Sequence, residues 1–215
     1  GIQATNGLAH IHGLGAGPGV GGLVHRDIKP SNLLVDPTGL VKIADLGISA
    51  FGAPAGGSGT PGYMAPEQVT SGGVEDARTD LFALGVTLAV LATGTRLFGT
   101  GVTALAAVRR VERALAAGLL DPVEEAVPGP GEIVRRCLRA DPADRWTDAR
   151  ALGVALRSIR SRHRPGPTLR SLLTRARPEL RESPPQPLSR PTSTTLILRG
   201  NLPVSRDVFV GRAED

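Results

Sequence analysis

Apolar residues recur along this chain in different rhythms, and each rhythm predicts a different element. Ile2, Thr5, Leu8 and Ile11 share one face at helical spacing, which predicts an opening helix that runs to about His12. Leu33-Leu34-Val35, the turn residues Asp36-Pro37-Thr38-Gly39, and Leu40-Val41-Lys42-Ile43 read as a short hairpin. Asn32 stands just before that hairpin and Asp45 just after it, so pairing of the strands brings the two residues together. The run from Thr79 to Ala92 is the most hydrophobic in the chain. It is too short to cross a bilayer and reads as a core helix, with Asp80 available to cap it or to bind backbone groups. Residues 102–117, 131–140 and 147–160 read as amphipathic helices separated by Gly, Pro and Asp-Pro breakers.

Composition adjusts this picture at two points. Only 3% of the 215 residues are aromatic, so the core must rest on Leu, Val, Ala and Ile. From Pro165 onward the texture changes: Pro167, Pro178, Pro184, Pro185, Pro187 and Pro191 are interspersed with Arg, Ser and Thr, which is linker composition. The expected organisation is one domain over residues 1–163, a disordered Pro/Arg-rich linker over 164–200, and the start of a further domain over 201–215. The lone Cys137 lies in a helical pattern and permits no disulfide within the chain. No secretory signal or membrane span is visible, so the expected setting is cytoplasmic, with no membrane partner. The net charge of +5 raises a nucleic-acid partner. The arginines between Arg157 and Arg181 lack interleaved aromatics for base stacking, so a solvated basic face is the preferred reading and nucleic acid is not expected.

The chemistry is concentrated in three strings: Val24-His25-Arg26-Asp27-Ile28-Lys29-Pro30-Ser31-Asn32, then Asp45-Leu46-Gly47, then Gly59-Thr60-Pro61-Gly62-Tyr63-Met64-Ala65-Pro66-Glu67. Taken singly, Asp27 and Asp45 could be ordinary turn carboxylates. Their order, spacing and place around the hairpin favour a shared site. Together the strings resemble the catalytic half of a eukaryotic-type protein kinase of the bacterial serine/threonine class.

The resemblance implies a fold of the α+β kinase type, here mainly helical: the large C-terminal lobe with a short hairpin at the catalytic site. It implies a catalytic role for Asp27, which orients the substrate hydroxyl and accepts its proton, with Lys29 near the transferred phosphoryl group. It implies ATP and Mg²⁺ as cofactors, with Asn32 and Asp45 as metal ligands and Lys29, Asn32, Leu34 and Asp45 against the nucleotide. Lys29 further implies a Ser/Thr rather than a Tyr acceptor on a protein substrate. His25 and Leu46 are implied to pack beneath the loop, Leu46 standing where the family usually has Phe. Gly47 follows them. Asp80 is implied to tie down the catalytic loop, and Glu67 and Arg145 to form a buried ion pair. Residues 48–66 correspond to the activation loop, where Arg26 would meet a phosphate, Thr60 would contact Asp27, and Ser58 is the candidate phosphosite.

A complete kinase also needs a small lobe with a Gly-rich loop, a strand Lys and a helix Glu. Lys29 and Lys42 are the only lysines, and Lys42 lies too close to Asp45 to be that strand Lys. The chain is therefore expected to lack the small lobe and to be inactive alone. The glycine-rich stretch 13–22 has no preceding strand and no Gly-Lys-Ser/Thr ending, so it reads as an insertion before the catalytic loop, not a phosphate cradle. Residues 201–215, with Phe209-Val210-Gly211-Arg212, resemble the start of a bacterial signalling ATPase domain. The alternative function is a noncatalytic kinase-like scaffold.

Overall fold

A computed structural model describes residues 1–14, 16, 22–46, 59–95, 103–126, 128–162 and 166–176. Its elements are α1 (Ile2–Gly13), β1 (Leu33–Val35), β2 (Val41–Ile43), α2 (Pro66–Val69), α3 (Ala77–Thr93), α4 (Ala104–Ala116), α5 (Asp121–Ala126), α6 (Pro130–Cys137), α7 (Ala149–Arg162) and α8 (Leu169–Ala176). Helix dominates. The sheet is a single antiparallel pair in which Leu33 faces Ile43 and Val35 faces Val41.

The most hydrophobic run forms α3, buried continuously from Thr79 to Thr87. Its cap is Asp76 rather than Asp80: the Asp76 carboxylate accepts from Arg78 N–H at 2.7 Å, and Asp76 N–H donates to the Thr79 hydroxyl at 3.3 Å. The other end stops at Gly94 in the left-handed conformation. Because α3 is apolar all round, it packs on both sides. Leu81 and Leu84 join Leu8, Ile28, Ile133 and Leu152 in one cluster, while Phe82 and Val86 join Val111, Leu120 and Leu138 in a second.

Two helices depart from the sequence reading. α5 is six residues long and buries none of them, so it has no apolar periodicity to detect. Its Glu124 carboxylate nonetheless accepts from Gly129, Gly131 and Glu132 N–H at 2.6, 2.7 and 3.3 Å, closing the start of α6. α8 forms within the stretch read as linker, opened by the Thr168 hydroxyl accepting from Ser171 N–H at 3.1 Å. Cys137 is buried at the end of α6, where loss of solvent pushes its thiol up to about 12 and leaves it unreactive.

Arg145 fastens the chain between α6 and α7 to the rest of the domain. It is buried, and its guanidinium meets Glu67 through two parallel bonds of 2.7 and 2.8 Å. The remaining donors reach the carbonyls of Arg139, Arg78 and Ala140 at 2.8, 3.0 and 2.9 Å, and Phe82 lies 5.0 Å beneath the cation. This is the ion pair that the resemblance implied. Arg145→Met should strand the Glu67 carboxylate in the interior and lower unfolding free energy by about 3–5 kcal/mol in urea titration. Arg135→Gln, which breaks an exposed pair with Asp121, should cost under about 1 kcal/mol.

Candidate active site

The stretch from His25 to Lys29 has no regular secondary structure, so its shape comes from side chains that hold its backbone. Asp80, in the first turn of α3, is fully buried and supplies most of that hold. One carboxylate oxygen accepts from Arg26 N–H at 2.7 Å; the other accepts from His25 N–H at 2.8 Å and from His12 Nε2 at 2.8 Å. Of the two roles open to Asp80 in the sequence, it therefore binds backbone. Arg26 sits at φ +68°, a left-handed conformation costly for a residue with a side chain. The two Asp80 bonds offset that strain.

His25 is also fully buried. Its Nε2 is 3.0 Å from the Ala44 carbonyl and its Nδ1 is 3.3 Å from Asp27 N–H. A carbonyl only accepts and an amide N–H only donates, so the ring proton is on Nε2. The imidazole has no capacity left for a reacting group. It bridges the loop to the end of β2, and Leu46 packs on the neighbouring core.

Asp27 is the centre of convergence. Its Oδ1 accepts from Thr60 N–H at 3.0 Å and from the Thr60 hydroxyl at 2.6 Å, while Oδ2 accepts from Lys29 Nζ at 2.7 Å and Asn32 Nδ2 at 3.1 Å. Lys29 Nζ also donates to the Thr60 hydroxyl at 2.6 Å. Partial burial pushes the Asp27 pKa up. Hydrogen bonds from Lys29 and Thr60, the Lys29 charge and the Asn32 bond outweigh it and hold the carboxyl below its ordinary value.

Asn32 donates through Nδ2 to the Asp27 carbonyl at 2.8 Å as well as to its carboxylate. Both partners are acceptors, so the amide nitrogen must point there and Oδ1 is directed elsewhere, meeting only the Ser31 hydroxyl at 3.3 Å. The Asn32 carbonyl accepts from Ala44 N–H at 2.9 Å, which closes the hairpin ends next to Asp45. Asp45 is exposed, at φ +56°. The Asp45 carboxylate and the Asn32 amide oxygen are hard oxygen donors, the type suited to a cation whose other ligands are phosphates and water. Among the described residues no cluster of three His, Cys, Asp or Glu occurs, and Mg²⁺ bound with phosphates needs only one or two carboxylates. Leu34, on β1, is exposed on the hairpin.

Thr60 reaches Asp27 because Gly59, at φ +136°, passes close to the loop. A Cβ there would lie 3.0 Å from the Arg26 carbonyl oxygen. Arg26, expected to meet a phosphate, has its Nε 2.9 Å from a nearly buried Glu75 carboxylate. Gly47 and Ser58 lie outside the described residues, as does the chain between them. His12 and Glu75 were not legible beforehand: no motif marks either, and each gains a role only when α1 and α3 meet the loop. Leu23 N–H donates to the Leu14 carbonyl at 3.0 Å, which joins the start of the catalytic-loop string to the end of α1. Gly22 crosses so near the His12 carbonyl that a Cβ would overlap it.

Comparison with known proteins agrees with this geometry. The chain is 39% identical over 147 residues to the serine/threonine-protein kinase PknL of Mycobacterium tuberculosis, covering 64% of this chain and 36% of that protein. It is 44% identical over 102 residues to the DNA damage-responsive serine/threonine-protein kinase RqkA of Deinococcus radiodurans, covering 44% and 14%. With the mitogen-activated protein kinase kinase kinase YODA of Arabidopsis thaliana it shares 33% over 171 residues, covering 76% and 18%. It thus spans about a third of the length of PknL and less of the other two. Residues 2–155 match the protein kinase domain, and with that match the chain belongs to the protein kinase family.

Proposed function

We propose that this chain carries the catalytic centre of a bacterial serine/threonine protein kinase that transfers the γ-phosphoryl group of ATP to Ser or Thr hydroxyls of proteins in cytoplasmic signalling. The observation that carries the reading is the convergence of Lys29, Asn32 and Thr60 on the two oxygens of Asp27. A turn aspartate such as Asp36 draws its donors from its own turn and hairpin, Thr38, Leu40 and Lys42, whereas Asp27 is also reached by Thr60 from 33 residues along the chain.

Asn32 through Oδ1 and Asp45 through its carboxylate would hold Mg²⁺, which when bound neutralises charge on the phosphates. The rest of the work falls to side chains. Asp27 takes the hydroxyl hydrogen of the acceptor and aims its oxygen at the phosphorus. Held below its ordinary pKa, Asp27 is a weak base, so it orients the hydroxyl early and takes the full proton late, as a loose transition state allows. Lys29 sits between Asp27 and Thr60 and can turn its ammonium to the transferring group as charge builds there. Leu34 offers an apolar surface to the base of the nucleotide. Residues upstream of Gly1 would supply the small lobe, and residues 201–215 would lead into a further domain.

The test is γ-phosphate transfer from Mg-ATP to a generic Ser/Thr protein substrate, by this chain and by the longer protein that includes upstream residues. Transfer is expected from the longer protein, reduced on the order of 10²–10⁴-fold by Asp27→Asn. Asp45→Asn should weaken Mg-dependent nucleotide binding. Failure of the longer protein both to bind ATP and to transfer phosphate would leave the noncatalytic scaffold. A second expectation concerns pH. Because the folded Asp27 pKa is depressed, its stabilising contribution is present above the unfolded Asp value of about 4 and is lost as pH falls through the folded value. Lys29→Met removes a lowering partner while burial remains, so the Asp27 titration should move upward, followed by ¹³C NMR of the carboxyl carbon.

A further inference from the structure

Helices α7 and α8 carry a charge pattern that phosphoryl transfer does not use. Arg150, Arg157, Arg160 and Arg162 lie on α7, Arg170 and Arg175 on α8, and neither helix contains an acidic residue. Among the described residues none of the six is in an ion pair; Arg157 reaches Asn6 at 3.4 Å and Arg162 the Ser158 carbonyl at 3.2 Å, both neutral. Leu169, Leu172, Leu173 and Ala176 recur on α8 at one-face spacing. That face is left partly in water: Leu169 is 41% and Leu172 42% exposed, and Leu173 is half-buried.

The hairpin sets the position of α8. A Cβ on Gly39 would lie 2.6 Å from Arg170 N, so the first turn of α8 abuts the β1–β2 turn, where Leu40 is itself 39% exposed. The acid of that turn, Asp36, is occupied by Thr38, Leu40 N–H and Lys42 and presents no unpaired charge to α8. On α8, part-exposed leucines thus share two turns of helix with Arg170 and Arg175, which form no ion pair among the described residues.

We propose that α8 is a docking surface for anionic phospholipid membranes, lying on the bilayer rather than crossing it. Among the described residues no helix is long and apolar enough to span a membrane. An anionic bilayer satisfies both halves of the surface: headgroups take the arginines and the acyl boundary takes Leu169 and Leu172. A nucleic-acid backbone would use the arginines but leave the leucines in water, and residues 166–176 have no aromatic side chain for stacking bases. Two turns of helix bury little apolar area, so attachment is weak, reversible and salt-sensitive.

The experiment is co-sedimentation of the protein with vesicles of phosphatidylcholine alone or mixed with phosphatidylserine, in low and high salt. Binding is expected only with phosphatidylserine and only at low salt. Arg170→Gln with Arg175→Gln should lower it roughly twenty-five-fold, about fivefold for each arginine. Leu169→Ser with Leu172→Ser should lower it about tenfold or more. Both pairs are exposed, so circular dichroism and the thermal midpoint should match the parent protein. No binding, equal binding to phosphatidylcholine, or binding indifferent to the leucine substitutions overturns the proposal. Duplex DNA that binds as tightly as the vesicles, is lost with the arginines and is unmoved by the leucines assigns the surface to polyanions instead.

Discussion

A buried carboxylate organises this molecule. Taking Asp80 out of water costs several kcal/mol unless donors surround it, and three do: the consecutive backbone N–H groups of His25 and Arg26 and the His12 imidazole. The cost and its compensation are the same geometry. Because the charge is stable only with those donors in place, the loop is held where α3 puts it, with Arg26 in a conformation it would not adopt alone. α3 in turn is fixed by burial on every side between two apolar clusters. Rigidity thus passes from hydrophobic packing to a single side chain and from it to the site.

Around Asp27 the electrostatics run the opposite way. Asp80 is enclosed and spends its oxygens on structure, whereas Asp27 is partly open and gathers donors that a substrate could displace or share. Lys29 and Thr60 keep the carboxylate ionised and aimed. Arg145 completes the support at a distance. By binding Glu67 and three carbonyls it joins the segment after Thr60 to the region between α6 and α7. One carboxylate therefore anchors the loop that carries Asp27, and one guanidinium anchors the segment that delivers Thr60.

Legibility from sequence followed the range of the interactions. The opening helix, the hairpin and the core helix were readable because spacing, turn residues and apolar run length are local properties; all three occur, within a residue or two of their expected ends. Asp27, Asn32 and Asp45 stood out because their order around a hairpin is itself a local pattern. α5 was missed since six residues with none buried carry no periodic signal, and α8 because its few leucines at helical spacing lie in a Pro/Arg-rich stretch whose composition reads as linker. His12 and Glu75 were missed for another reason. Their partners are Asp80 and Arg26, distant along the chain, and nothing in the neighbourhood of a histidine or glutamate announces such a pairing.

The sequence by itself determined the family, the kinds and order of the main elements, and the candidate site residues Asp27, Asn32 and Asp45, because those follow from side-chain chemistry and short-range spacing. Only the tertiary structure decided that Asp80 binds the loop while Asp76 caps the helix, that the Asn32 amide turns its nitrogen to Asp27 and its oxygen away, and that Arg26 faces Glu75. Each of those outcomes is a choice between partners that the chain offers equally. The choice falls to whichever donors and acceptors packing brings within bonding distance, which is a property of the folded whole.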